Sequence, residues 1–389
     1  MTSHFHSASG ELSLARWPLE QPNRSLQAWD AADELLLQQA VVTIAELELA
    51  LQRPVKLLIL NDSFGALSCA LSAWPQVWVT DSYLSELGCR YNRQHNASSS
   101  ASSATFSSQS SLAPLPADAD LVLLKLPGNH SLLHYQLQQL ATVVQPHMQV
   151  LASAKAKDIH RNVLALFQQH LGPASASLTV KKCRLITCTP DLSLPPGASP
   201  FPLRWPLDDS PFTLVNHANA FSREKLDIGA RFFLQHLPEV AANSQVIDLG
   251  CGNGVLGLMV LARAPQAQLL FCDESYMAIA SAQATISENL PQSLAQCRFV
   301  VDDCLSAQQD NSADWVICNP PFHQHTAVTT HIASQMFSEA KRVLRKGGRL
   351  RIVANRHLTY QQPLTRLFGH CQQLAANPKF VILEAIKRS

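Results

Sequence analysis

The feature that most constrains this chain is that it states one pattern twice. In the second half, Gln245-Val246-Ile247-Asp248 has the character of a buried strand, and it runs into the glycine turn Gly250-Cys251-Gly252-Asn253-Gly254. A helical stretch follows, then a second strand, Leu269-Leu270-Phe271-Cys272, which ends on Asp273. The first half repeats the order. Lys56 to Leu60 meets the turn Asn61-Asp62-Ser63-Phe64-Gly65, and after a helix comes Val77-Trp78-Val79-Thr80, ending on Asp81. Further on, Asp120 to Leu124 meets Lys125-Leu126-Pro127, where the second half has Ala313 to Cys318 and then Asn319-Pro320-Pro321-Phe322. Val150 to Lys155 corresponds to Leu350 to Asn355, and Lys182 to Ile186 to Lys379 to Leu383. From Asp62 to Lys125 is 63 residues, and from Asp248 to Asn319 is 71. Short apolar strands alternating with helical lengths predict an α/β doubly wound, mostly parallel sheet, and the repetition predicts two of them in tandem.

The 389 residues are too many for one typical core, which agrees with two domains. The proline-rich text from Thr189 to Pro211 is expected to be an extended linker, giving domains at 1–189 and 212–389 with 190–211 between them. The Ser/Ala-rich run from Asn96 to Ser111 is expected to be a flexible surface loop. The ten cysteines are scattered without any C-x-x-C, so neither a disulfide frame nor a metal site is signalled, and a reducing, cytoplasmic setting fits. The start lacks a charged region followed by an apolar one, and no run approaches a membrane span. Net charge is +1, so a nucleic-acid partner has to be met by a local basic patch.

The copies differ where ligands bind. Gly252-Asn253-Gly254-Val255-Leu256-Gly257 satisfies G-x-G-x-x-G, and Asp273 lies 21 residues beyond Gly252, so a dinucleotide site is one reading. Asp248, two residues before Gly250, argues against it: a carboxylate there repels a pyrophosphate but suits a cationic amino-acid moiety. S-adenosylmethionine carries an ammonium and a sulfonium, and Asp248, Gly250, Gly252, Gly254 and Asp273 supply what it needs, with Asp273 on the ribose hydroxyls. Of Asp302 and Asp303, the second is favoured as acceptor for the adenine amino group. Phe221 to Gly229 resembles a helix entry capped by Ser222 and a flap over the cofactor, with Asp227 either a ligand or structural. The first half keeps Gly65 alone, with bulky Phe64 in the turn and Lys-Leu-Pro in place of Asn-Pro-Pro-Phe. It is expected to have kept the fold and lost the cofactor and the reaction.

Asn319-Pro320-Pro321-Phe322 sits where open α/β sheets place their chemistry, at a strand end. The two prolines remove two backbone donors and leave carbonyls free to accept. The Asn319 amide oxygen and the Pro320 carbonyl therefore suit the two protons of an exocyclic amino group, and Phe322 offers a face for a base. His323 is a candidate to orient the base or relay a proton. Without further context the tetrapeptide also fits a plain turn.

Together these residues resemble class I S-adenosylmethionine-dependent methyltransferases, in particular the bacterial ribosomal RNA guanine-N2 methyltransferases. Leu26 to Glu34, Leu60 to Ala70 and His217 to Arg223 resemble the large-subunit branch of that family, whereas the small-subunit branch shares the cofactor and Asn-Pro-Pro-Phe-His motifs. The resemblance implies two Rossmann-like methyltransferase domains, the first degenerate. It also implies methyl transfer to N2 of a guanine in 23S ribosomal RNA, with naked RNA as substrate, by a monomer. Lys155, Lys157, Lys182, Arg184 and Arg356 are the cations expected to touch RNA, being near strand ends on the ligand side. A methyltransferase on another amino group (adenine N6 or a protein glutamine) or on guanine N2 of 16S ribosomal RNA, a nicotinamide-dependent oxidoreductase and a non-catalytic RNA-binding protein are the rival readings.

Overall fold

A computed structural model describes residues 2–7, 10–20, 26–97, 104–321 and 327–388. The chain divides into two compact units, Met1–Pro200 and Phe201–Ser389. Each contains a seven-stranded sheet with the same order, 3-2-1-4-5-7-6 when the strands are counted along that unit. In the second unit the first strand, Gln245–Leu249, lies between Gln268–Asp273 and Ala313–Cys318, parallel to both. The last strand in sequence, Phe380–Ile386, inserts antiparallel beside Leu344–Asn355. In the first unit Leu57–Leu60 is likewise central and Cys183–Cys188 is antiparallel beside Gln149–Lys155. The central strands Leu57–Leu60 and Gln245–Leu249 are mostly apolar and buried, because helices cover both faces of the sheet. This is the doubly wound, mostly parallel architecture expected from the repeat.

Sheet register aligns the two units residue by residue. Leu249 pairs with Cys272 and Cys318, and Leu60 pairs with Val79 and Leu124. Five residues past each, Gly254 and Gly65 occupy the left-handed region, at φ 79° and 82°, and each opens a helix. Lys125 therefore does stand where Asn319 stands. The acids correspond less simply than the sequence suggests. Asp62 falls in register with Cys251, Ile59 with Asp248, and Thr80 rather than Asp81 with Asp273. Yet one job is conserved in space: Asp248 Oδ2 accepts from the Gly257 N–H at 2.9 Å, and Asp62 Oδ2 accepts from the equivalent Ser68 N–H at 2.9 Å. A buried carboxylate thus serves one of the orphan donors in the first turn of each helix, delivered from a different chain position.

Two stretches expected to be a loop and a linker contain strands. Phe106–Ser110, inside the Ser/Ala-rich stretch, is the parallel edge strand of the first sheet. Its serines are tolerated because an edge strand is half exposed, and alternating polar residues suit that position. In the proline-rich stretch, Leu203–Pro206 pairs antiparallel with Thr213–Asn216, so the second half of the expected linker belongs to the second unit. Pro206 is tolerated at the end of a strand that pairs on one side only.

Candidate active site

The glycine turn leaves the strand Gln245–Leu249 with Gly250, Gly252 and Gly254 all at positive φ (69°, 53° and 79°). Their spatial roles differ. A Cβ on Gly254 would lie 3.0 Å from Ala282, and one on Gly257 would lie 2.2 Å from the Phe271 ring, so these two permit close packing. A Cβ on Gly252 would meet nothing within 4 Å, so its backbone borders open space. That is the cradle a ligand needs. Asp273, at the end of the neighbouring strand, holds the turn by accepting from the Gly252 N–H at 3.0 Å and from the Ser275 N–H at 3.0 Å. Asn253 adds a further tie through its Nδ2, which donates to Asn216 Oδ1 at 2.9 Å.

Asp248 is fully buried beneath this turn, and its Oδ1 has no partner among the described residues. Burial, with Asp273 nearby as a second cause, pushes its carboxyl up to about 8. The folded chain therefore holds a proton here that the unfolded chain, with an ordinary carboxylate value near 3.9, has lost. The contribution of this group to stability is fully present below about pH 4 and is lost as pH rises towards 8, at no more than about 1.4 kcal/mol per pH unit. Asp62, raised to about 7 by burial first and by Asp33 second, acts with the same sign in the first unit. Asp248→Asn is accordingly expected to flatten the decline in melting temperature between pH 5 and pH 9. An unchanged decline in thermal melts would show that Asp248 is ionised throughout.

The two acids after the strand Cys297–Val301 separate clearly. Asp302 accepts from the Asp303 N–H, Ser306 Oγ, the Ala307 N–H and Gln308 Nε2, which commits it to shaping its own turn. Asp303 accepts from Gln335 Nε2 at 2.8 Å. Gln335 lies on the helix Ala327–Val343, as does Met336, whose Cε lies 3.3 Å from the position of a Cβ on Gly250. No motif points to Gln335, which is one polar residue on an amphipathic helix.

Asp227 is the N-cap of the helix Ile228–Leu234, which replaces the expected start at Ser222. Its Oδ2 accepts from the Ala230 N–H at 2.9 Å and from Asn319 Nδ2 at 3.3 Å. Residues 92 apart in sequence thus meet at the strand end. Asn319 Oδ1 is buried and has no partner among the described residues. Pro320 is buried and Pro321 exposed. Phe322 and His323 lie outside the described residues.

Comparison with known proteins agrees with this layout. Residues 2–192 match the family described as RLMG N-terminal domain, and residues 211–384 match the family described as Methyltransferase small domain. A protein of Pseudoalteromonas translucida named Ribosomal RNA large subunit methyltransferase G is 48% identical over 394 residues, covering 100% of this chain and 99% of its own length. Its namesake in Aeromonas salmonicida is 48% identical over 388 residues, with 100% of both chains covered. The chain belongs to the ribosomal RNA large subunit methyltransferase G family. The two-unit fold of this family member also matches the T. thermophilus 16S rRNA N2 methyltransferase RsmC, solved in complex with AdoMet and guanosine. That match has a TM-score of 0.76 at 20% identity, covering 100% of this chain and 98% of the other. At that identity the likeness concerns the fold.

In the first unit of this family member the corresponding positions are filled by the chain itself. Lys125 Nζ lies 2.8 Å from both Asp30 and Asp33, the acids of the capping box that opens the helix Ala31–Leu51. Phe64 is buried against Gly88, where a Cβ would lie 2.5 Å from its ring. The expected cations also sort themselves. Lys155, Lys157 and Lys182 are exposed and form no ion pair among the described residues, and Lys182 O accepts from the Ala156 N–H at 2.8 Å, placing the three side by side. Arg184 donates to the Ser177 and Ala176 carbonyls, and Arg356 to the Asn377 carbonyl. Among the described residues no group of three or more His, Cys, Asp or Glu is placed to hold a metal ion. No helix there is long and apolar enough to cross a membrane.

Proposed function

We propose that the second unit transfers a methyl group from S-adenosyl-L-methionine to the exocyclic N2 of one guanine in 23S ribosomal RNA, as a cytoplasmic monomer acting on naked RNA. The observation that carries the reading is the buried Asn319 Oδ1, without a partner among the described residues, at the end of a strand next to the glycine turn. A buried acceptor without a donor is costly, and a substrate amino group removes that cost. The residues fit the cofactor as well. Gly252 borders open space, Asp273 stands at the adjacent strand end for the ribose, and Asp303 lies at the next strand end for the adenine amino group. Asp248 presents one oxygen under the turn that is unpaired among the described residues; an ammonium nearby favours its charged form.

When bound, S-adenosyl-L-methionine supplies an electrophilic methyl group on a sulfonium. The chain's own residues orient the nucleophile. A guanine N2 lone pair is delocalised into the ring, so Asn319 Oδ1 and the Pro320 carbonyl accept hydrogen bonds from its two N–H groups and stabilise the positive charge that grows on nitrogen. Asn319 is neutral and cannot keep a proton, so the one that N2 releases passes to solvent. The target guanine has to leave its stack to reach a strand-end pocket.

Lys155, Lys157 and Lys182 are the side chains best placed to meet phosphates. Replacing all three with alanine is expected to flatten the slope of log affinity against log salt by about two to three, at roughly 0.7–0.9 per lost phosphate contact. Binding titrations of 23S RNA fragments across a salt series check this; an unaltered slope removes the patch from the interface. The reaction itself is tested by mass mapping of ribosomal RNA from cells lacking the gene, which should lose one N2-methylguanine from 23S RNA. Restoration in vitro by the purified protein should work on naked RNA rather than on assembled large subunits.

A further inference from the structure

Resting on that reading, we infer that Asp227 is a positioning residue that sets the polarity of the Asn319 amide, and is not a ligand of the cofactor. An asparagine side chain can turn either its oxygen or its NH2 towards a substrate, and only one orientation serves an amino group. A carboxylate is acceptor-only when ionised. With Asp227 Oδ2 at 3.3 Å, the Asn319 Nδ2 has to face it, and Oδ1 is left as a buried acceptor with no partner among the described residues. The flipped amide would set two oxygens against each other and present a donor to a donor.

Asp227 is itself firmly held. Its Oδ2 accepts from the Ala230 N–H at 2.9 Å, so the same oxygen that caps the helix aligns the amide. The chain leading to it is fastened to the helix Tyr276–Asn289. Val215 N–H donates to Thr285 Oγ1, His217 N–H to Ser281 Oγ and Asn219 N–H to Met277 Sδ. Trp205 Nε1 donates to the Arg223 carbonyl at 2.7 Å, four residues before Asp227. A rigid approach matters because a small misplacement of a reacting group is expensive in rate. The first unit has a counterpart with a different partner: Asp30, the N-cap of the helix Ala31–Leu51, accepts from Lys125, which presents only donors and has no amide to orient.

The test compares Asp227→Ser with Asp227→Asn in the full-length protein. Serine still caps the Ala230 N–H but is too short to reach Asn319, whereas asparagine keeps an oxygen at the same reach. Asp227→Ser is expected to lower kcat for methyl transfer to 23S RNA by about 100-fold, leaving S-adenosyl-L-methionine affinity by calorimetry and the melting temperature unchanged. Asp227→Asn is expected to recover much of the rate. A loss of cofactor affinity at constant kcat would assign Asp227 to the cofactor and overturn the inference, as would a fall in melting temperature that accounts for the lost activity. Wild-type kcat retained in Asp227→Ser would also overturn it. Absence of transfer by the wild-type protein would instead strike the function proposed above, so the two failures are distinguishable.

Discussion

Asn319→Ala is expected to reduce kcat for methyl transfer by about 100- to 1,000-fold, the usual cost of removing one oriented group that stabilises developing charge. Cofactor affinity should stay as it is, because the amide lies at the end of the strand Ala313–Cys318 while the proposed cofactor cradle is the turn after Gln245–Leu249. Folding should be little affected. The substitution removes an oxygen that has no partner among the described residues and an Nδ2 whose bond to Asp227, at 3.3 Å, is long. Single-turnover transfer of labelled methyl to 23S RNA, beside calorimetric titration of the cofactor, separates the two effects. Unchanged turnover would take Asn319 out of the mechanism and leave a turn.

Gly257→Ala and Gly252→Ala should fail in opposite ways, although both alter the same G-x-G-x-x-G run. The Gly257 Cβ would press on the Phe271 ring at 2.2 Å. Phe271 is fully buried and stacked on Phe299 with centroids 5.0 Å apart, so it has little room to yield. Overpacking of this kind costs about 1–3 kcal/mol, or roughly 2–4 °C of melting temperature per kcal/mol in a unit of this size. At Gly252 the methyl meets nothing within 4 Å, and the φ of 53° costs an alanine about 1–2 kcal/mol. The larger consequence there is expected in cofactor affinity, because the methyl occupies the space the turn keeps clear. Thermal melts with and without S-adenosyl-L-methionine decide it. Normal cofactor affinity in Gly252→Ala would place the ligand elsewhere.

The sheets were legible because the apolar strands are short, continuous and bounded by turns, and because the pattern occurs twice. The correspondence of Lys125 with Asn319 was legible for the same reason, and strand register bears it out. What escaped were features carried by geometry rather than text. Asp62 resembles Asp248 in sequence but stands three positions further along in register, and only the hydrogen bonds to Ser68 and Gly257 reveal the shared task. Asp302 and Asp303 are chemically identical in sequence; the turn that consumes Asp302 separates them. The edge strand Phe106–Ser110 is too polar to stand out, and the hairpin beginning at Leu203 hides among prolines. The contact between Asp227 and Asn319 crosses 92 residues, and nothing local announces it.

Lys125 and its two carboxylates carry one more consequence, which concerns linkage. A site that closes on its own side chains has its stabilisation built into the covalent chain, so it is always present and answers to no concentration. A site that leaves Asn319 Oδ1 and Asp248 Oδ1 without partners among the described residues gains stability by mass action, as ligand and substrate become available. At these corresponding positions the two units, alike in fold, therefore differ in the source of their stabilisation: the first draws on its own side chains, the second on the supply of methyl donor and substrate.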